Sequence, residues 1–111
     1  MKVKTEGHTY ELSNFEKKDA EGQTLQFIHK EPKVVTLSDA IGQTSELETI
    51  KDGTTNEEVL EVLIDRMMYL QSKFPCKENA MVITKLEESL MWLHKRTADR
   101  LKRGVEGKQL K

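Results

Sequence analysis

Pro75 constrains this chain more than any other residue, because it separates two stretches whose apolar residues recur every three or four positions. Before it come Val59, Leu60, Leu63, Ile64, Met67, Met68 and Leu70; after it come Ile83, Leu86, Leu90, Leu93 and Thr97. That spacing puts most of each set on one helical stripe. The repeat of the second set is the one by which helices pack in coiled-coil fashion. Proline disfavours helical geometry at the residue before it, so the first helix is expected to end near Lys73. Thr55-Asn56-Glu57-Glu58 has the spacing of a capping box at its start, and two early glutamates suit the positive end of a helix dipole. The second helix is expected from Cys76–Asn79 to about Arg103, where Gly104 can cap it. A connector this short makes the pair an antiparallel hairpin. The second helix would outreach the first by ~12 Å at ~1.5 Å per residue. With Val82, Met91 and Trp92 on its outer face, it invites a second copy of the chain, and a homodimer through this helix is expected.

The first half reads as strand and turn. A short run around Val3 leads to a turn at Glu6-Gly7-His8. Tyr10 and Leu12 fall on one face of a strand within His8–Phe15. Lys17–Gly22 is polar and ends in Gly, so it is read as a connection. Thr24–His29 is the clearest strand, Pro32 is expected to mark a strand end or edge, and Val34–Leu37 extends the sheet. Ser38–Ser45 reads as loop, Leu47–Ile50 as a last short strand, and Asp52-Gly53 as its turn. The expected class is therefore α+β. A small antiparallel strand region over residues 1–53 precedes a helical hairpin over 54–111, in a single domain, and the pairing of the strands is left open.

Composition narrows the function. Of 111 residues, 33% are charged and 36% hydrophobic, against a usual charged share of ~25%, so the core is modest and self-association is favoured. No apolar run approaches the ~20 residues of a membrane span. The opening Met1–Glu6 has no apolar signal core, which makes the cytosol the expected location. A single cysteine, Cys76, excludes an intramolecular disulfide and a cysteine-rich zinc site. The net charge of −1 hides a basic end, because residues 94–111 carry seven Lys and Arg against two acids. A local positive patch on an acidic body suits a small anionic ligand rather than a nucleic-acid polymer.

Little in the sequence speaks for catalysis. His8, His29 and His94 are scattered, none is spaced as a metal pair on one helix, and solvated histidines are expected. Cys76 near a helix start reads as a cap more readily than as a nucleophile. No Gly-rich phosphate loop and no base–nucleophile pair is present. The strongest cluster is Arg96, Arg100 and Arg103, at i, i+4 and i+7, expected to leave one exposed helix face. Planar guanidinium forks held together suit a phosphate or diphosphate, although Lys and Arg near a helix C-terminus are also ordinary dipole partners. Tyr69 could stack on a nucleobase or pack in the core. Asn79 could pair with an adenine edge or serve as a polar residue at a helix start.

Ile83–Leu93, Lys95–Arg100 and Arg103–Gly107, with Gly53–Leu60, Phe74–Asn79, Tyr10–Glu16 and Leu25–Pro32, together resemble the phage Thoeris anti-defence proteins of the first-described type. The resemblance implies a non-catalytic sponge needing no cofactor or metal. Such proteins hold glycocyclic ADP-ribose, made by bacterial TIR-domain enzymes on infection, so that the Thoeris effector is never activated. They release the ligand intact on denaturation. It further implies action in the cytoplasm of the infected bacterial host. Some members form hexamers that hold the cyclic oligonucleotides of CBASS immunity at a separate site. Carried over residue by residue, the ligand contacts fall on Tyr69, Asn79, Arg96 and Arg100, with Arg103 added from its shared face. The alternative is a non-enzymatic helical-hairpin adaptor whose basic end meets an acidic protein partner.

Overall fold

The computed structural model describes residues 1–37 and 40–104, excepting the side chains of 35–37 and 40–45. The chain divides into two compact units, Met1–Thr54 and Thr55–Lys111. Antiparallel strands at the N-terminus followed by a two-helix hairpin make the expected α+β class correct.

In the first unit, β1 (Lys2–Thr5), β2 (Thr9–Leu12) and β3 (Gln23–Gln26) form an antiparallel sheet in that order. Gly7 takes a φ of 77° in the turn between β1 and β2, which only a residue without Cβ adopts cheaply. β4 (His29–Leu37) and β5 (Ala40–Lys51) form a separate antiparallel pair. Tyr10 pairs with Leu25 across the first sheet and meets the edge of Phe27, with ring centroids 5.9 Å apart.

Three expectations for this unit need correction. Thr24–His29 is not one strand. The ladder breaks at Phe27, which forms a parallel bridge to Thr54 while its N–H donates to the His8 carbonyl at 2.8 Å. Ile28 N–H donates to Thr54 and Thr54 N–H to Gln26, both at 2.8 Å. Here the chain passes so close that a Cβ on Gly53 would lie 2.6 Å from the Phe27 carbonyl carbon. Of the two readings of Pro32, strand end or edge, the second holds, since it lies within β4, opposite Leu47, beside a register shift between Pro32 and Val34. In a two-stranded sheet each strand has an open edge, which a residue lacking an N–H can face. Residues 40–45, read as loop from Gly42 and Thr44, belong to β5, with Ile41 opposite Thr36 and Gly42 opposite Val35. Cross-strand pairing overrides weak local preference here. The Ser38–Asp39 part of that loop lies outside the described residues. His8 and His29 are not solvated either: both are half-buried with rings stacked at 3.7 Å, whereas His94 is exposed.

In the second unit, α1 spans Asn56–Lys73 and α2 spans Lys77–Lys102. The Thr55 hydroxyl accepts from Glu58 N–H at 3.2 Å, the cap bond anticipated from the sequence. Cys76 caps α2, its Sγ accepting from Asn79 N–H at 3.4 Å. Gly104 follows α2 with a φ of 69°. Phe74, Pro75 and Cys76 make the connection, and Gln71 clasps it: its amide donates to the Cys76 carbonyl at 3.1 Å and accepts from Cys76 N–H at 3.0 Å. The α2 stripe Ile83, Leu86, Leu90, Leu93 and Thr97 is half-buried throughout. Along α1, Leu60, Ile64, Met67 and Leu70 are half-buried, but Leu63 and Met68 are exposed. No apolar side chain among the described residues is fully buried, and Val82, Met91 and Trp92 lie open on α2. No described helix is long and apolar enough to cross a membrane.

Candidate functional site

The α2 stripe continues in both directions. Asn79 stands four residues before Ile83 and is half-buried; Arg100 stands three after Thr97 and is the one fully buried residue described, at 5% exposure. Asn79 and Arg100 thus close the two ends of a half-buried line that is apolar from Ile83 to Leu93. The expectation of three exposed arginines on one face is corrected here. At ~100° per residue the three lie within ~60° of arc, yet they do not share one environment. Arg100 is buried, and Arg96 and Arg103 remain exposed.

Arg96 and Arg103 line a shallow depression of about 240 Å³ together with Trp92, Lys95 and Asp99. Lys95 Nζ donates to Asp99 Oδ2 at 3.0 Å. That hydrogen bond and the Lys95 charge, helped by Lys102 and Arg103, hold the Asp99 carboxyl below its ordinary range against a small opposing effect of burial. Asp99 therefore stays ionised and anchors Lys95, while Arg96 makes no ion pair with any described residue. Trp92, Lys95 and Asp99 were missed in the sequence. The 92, 96, 99, 103 spacing, again steps of three and four, was the available signal.

Tyr69 and Asn79 lie at the opposite end of the hairpin. Tyr69, on the last turns of α1, is 55% exposed, and Lys73 Nζ sits 5.5 Å from its ring centre. The Asn79 N–H is used by the Cys76 cap, which leaves its side-chain amide without a partner among the described residues. Asn79 and Arg96 are 17 residues apart on one unbroken helix, and Asn79 and Arg100 are 21 apart. At ~1.5 Å per residue those separations are about 25 and 32 Å. Of the five residues singled out in the sequence, one chain places Tyr69 and Asn79 at one end of the hairpin and Arg96, Arg100 and Arg103 at the other.

A larger groove of about 440 Å³ lies between α1 and α2, floored by Ile64, Met68, Leu90 and Met91. Glu61, Asp65 and Glu87 rim it. Three carboxylates repel an anionic ligand, so the smaller basic depression, not this groove, suits phosphate.

The Acb2/Tad1 hairpin-domain model matches residues 38–98, which include all of α1 and most of α2. A protein of Bacillus phage SBSphiJ7, Thoeris anti-defense 1, is 50% identical over 76 residues, covering 68% of this chain and 52% of that protein. The chain thus aligns with about half the length of this relative.

Proposed function

The chain belongs to the Acb2/Tad1 hairpin family, and on that premise we propose that it is a phage anti-defence protein that captures the TIR-derived signal glycocyclic ADP-ribose and holds it unaltered. The relative named Thoeris anti-defense 1 supports the anti-Thoeris part of this reading. The observation that supports the rest is the division of the candidate residues between the two ends of the hairpin.

The ligand has a diphosphate, an adenine and two riboses. Arg96 suits the diphosphate, with Arg103 adding positive potential, and buried Arg100 joins them once its side chain turns out toward the ligand. Tyr69 offers an aromatic face once Lys73 swings aside, and the open amide of Asn79 offers a donor and an acceptor to a base edge. A compact macrocycle spans neither 25 nor 32 Å, so the two groups serve one ligand only if they come from different copies. Antiparallel pairing of two α2 helices lays the Arg end of one beside the Asn79 end of the other, and twofold symmetry gives two equal pockets per dimer. The exposed Val82, Met91 and Trp92 supply the apolar surface for that pairing. Capture needs no bond-making group, and the protein acts in the cytoplasm of the infected host. Hexamers built from these dimers, with a separate site for CBASS cyclic oligonucleotides, extend the same reading.

Mixing Asn79→Ala protein with Arg96→Ala protein tests the shared pocket. Random exchange makes half the dimers mixed, each with one intact pocket, so about a quarter of all pockets should regain full affinity. Confirmed exchange between two inactive parents, with no tight binding restored, would overturn the arrangement.

A further inference from the structure

The strand unit gathers three metal-binding side chains in one place. His8, between Gly7 and β2, stacks on His29, the first residue of β4, with ring centres 3.7 Å apart and planes 8° from parallel. His29 and Glu31 are two apart on β4 and so leave the same face. Nε2 of His29 lies 2.7 Å from Oε1 of Glu31. One ligand atom from each of the three residues falls in a set whose members all lie within 4.8 Å of one another. Both histidines are half-buried and Glu31 is exposed, so one side of the cluster is open.

The backbone beneath them is fixed. His8 N–H donates to the Thr5 carbonyl at 3.0 Å and the His8 carbonyl accepts from Phe27 at 2.8 Å. His29 pairs with Lys51 and Glu31 with Glu48 in the β4–β5 ladder. The cluster therefore joins the end of the three-stranded sheet where β2, its central strand, begins to the start of β4 in the two-stranded one.

We propose that His8, His29 and Glu31 form a divalent transition-metal site, with Zn²⁺ the preferred ion, that staples the two sheets of this unit together. The donor set selects the ion. Two imidazoles and a carboxylate suit tetrahedral Zn²⁺ with one position left for water. Mg²⁺ and Ca²⁺ take oxygen donors and are poorly matched. With metal–ligand bonds of ~2.1 Å at the tetrahedral angle, two donor atoms stand about 3.4 Å apart, so the 2.7 Å His29–Glu31 separation must open by roughly 0.7 Å, a side-chain adjustment. The stacked rings must also splay, because an ion lies in the plane of each imidazole that binds it. The terminal torsion of His is broad enough to allow this.

The unit also has a need for such a staple. Its described residues bury no apolar side chain fully, and domains this small lean on disulfides, metals or association. The single cysteine, Cys76, belongs to the other unit and is free. A metal that binds only the folded form adds its binding free energy to folding.

The test takes the full chain, stripped with chelator, and titrates it with Zn²⁺ by calorimetry near neutral pH and with Co²⁺ by absorption. One Zn²⁺ per chain is expected, with a Tm that rises with Zn²⁺ and Co²⁺ d–d bands free of thiolate charge transfer. His8→Asn and His29→Asn should each weaken binding at least tenfold, since loss of even an outer-shell partner costs ~10–100-fold. Should either unfold, Glu31→Gln decides: its side chain is exposed, the fold should survive, and affinity should still fall at least tenfold. Cys76→Ser should bind as the parent does. The proposal is overturned by the absence of stoichiometric binding, by affinity unchanged in Glu31→Gln, or by binding lost in Cys76→Ser.

Discussion

Replacing Arg96 and Arg100 one at a time separates capture from folding. Arg96 is exposed and without an ion pair among the described residues, so Arg96→Ala should alter stability by no more than about 0.5 kcal/mol. Arg100 is only 5% exposed. Arg100→Ala removes a buried charged donor together with the packing of its stem, a loss of about 1.5–3 kcal/mol. For a chain of this size each kcal/mol moves Tm by roughly 4–8 °C, so the drop should be clear of experimental scatter. In binding, each substitution removes a charge-assisted hydrogen bond worth roughly 1.5–3 kcal/mol, or about ten- to a hundred-and-fifty-fold in Kd. Calorimetric titration with glycocyclic ADP-ribose and differential scanning calorimetry of the same samples read both quantities. The expected pattern is two binding-defective proteins of which one, Arg96→Ala, melts normally. Equal melting losses in both would refute the reasoning from burial, and normal capture by both would refute the phosphate role.

Leu90 lies mid-stripe on α2 and in the floor of the inter-helix groove, so Leu90→Asp should lower stability by about 2–3 kcal/mol, read from the urea midpoint. Gln71→Ala unclasps two hydrogen bonds to Cys76 and should cost about 1–2 kcal/mol without altering helix content by circular dichroism. Asp99 has a lowered folded-state pKa, caused first by its hydrogen bond to Lys95. Its contribution is therefore present above the ordinary carboxylate range and lost as pH falls through the lowered value. The urea-midpoint difference between the parent and Asp99→Asn should accordingly vanish in strong acid, and a difference that persists there would count against the pair.

The helical half was legible because its signals are local. Pro75, the Thr55 cap and the 3–4 apolar steps act within a few residues of themselves, and helix ends followed them closely. The strand half depends on pairing between distant residues. Nothing near Phe27 announces its bridge to Thr54, and nothing near Gly42 announces Val35 as its partner. The His8–His29 stack was hidden for the same reason, since the two lie 21 residues apart in sequence. Arg100 was a different kind of miss. The line 79, 83, 86, 90, 93, 97, 100 was readable as one register, but the charge of Arg100 outweighed its position, and it was read with Arg96 and Arg103 as exposed.

The central claim is capture without chemistry, and one measurement addresses it directly. The chain is incubated with glycocyclic ADP-ribose, freed of unbound ligand by filtration, and heated to denature it, and the released small molecules are resolved by mass spectrometry. The account predicts depletion of ligand from the filtrate and its return on heating as the same intact cyclic molecule. Linear ADP-ribose or another cleavage product in the heated fraction would make the protein an enzyme, and no depletion at all would remove the sponge reading.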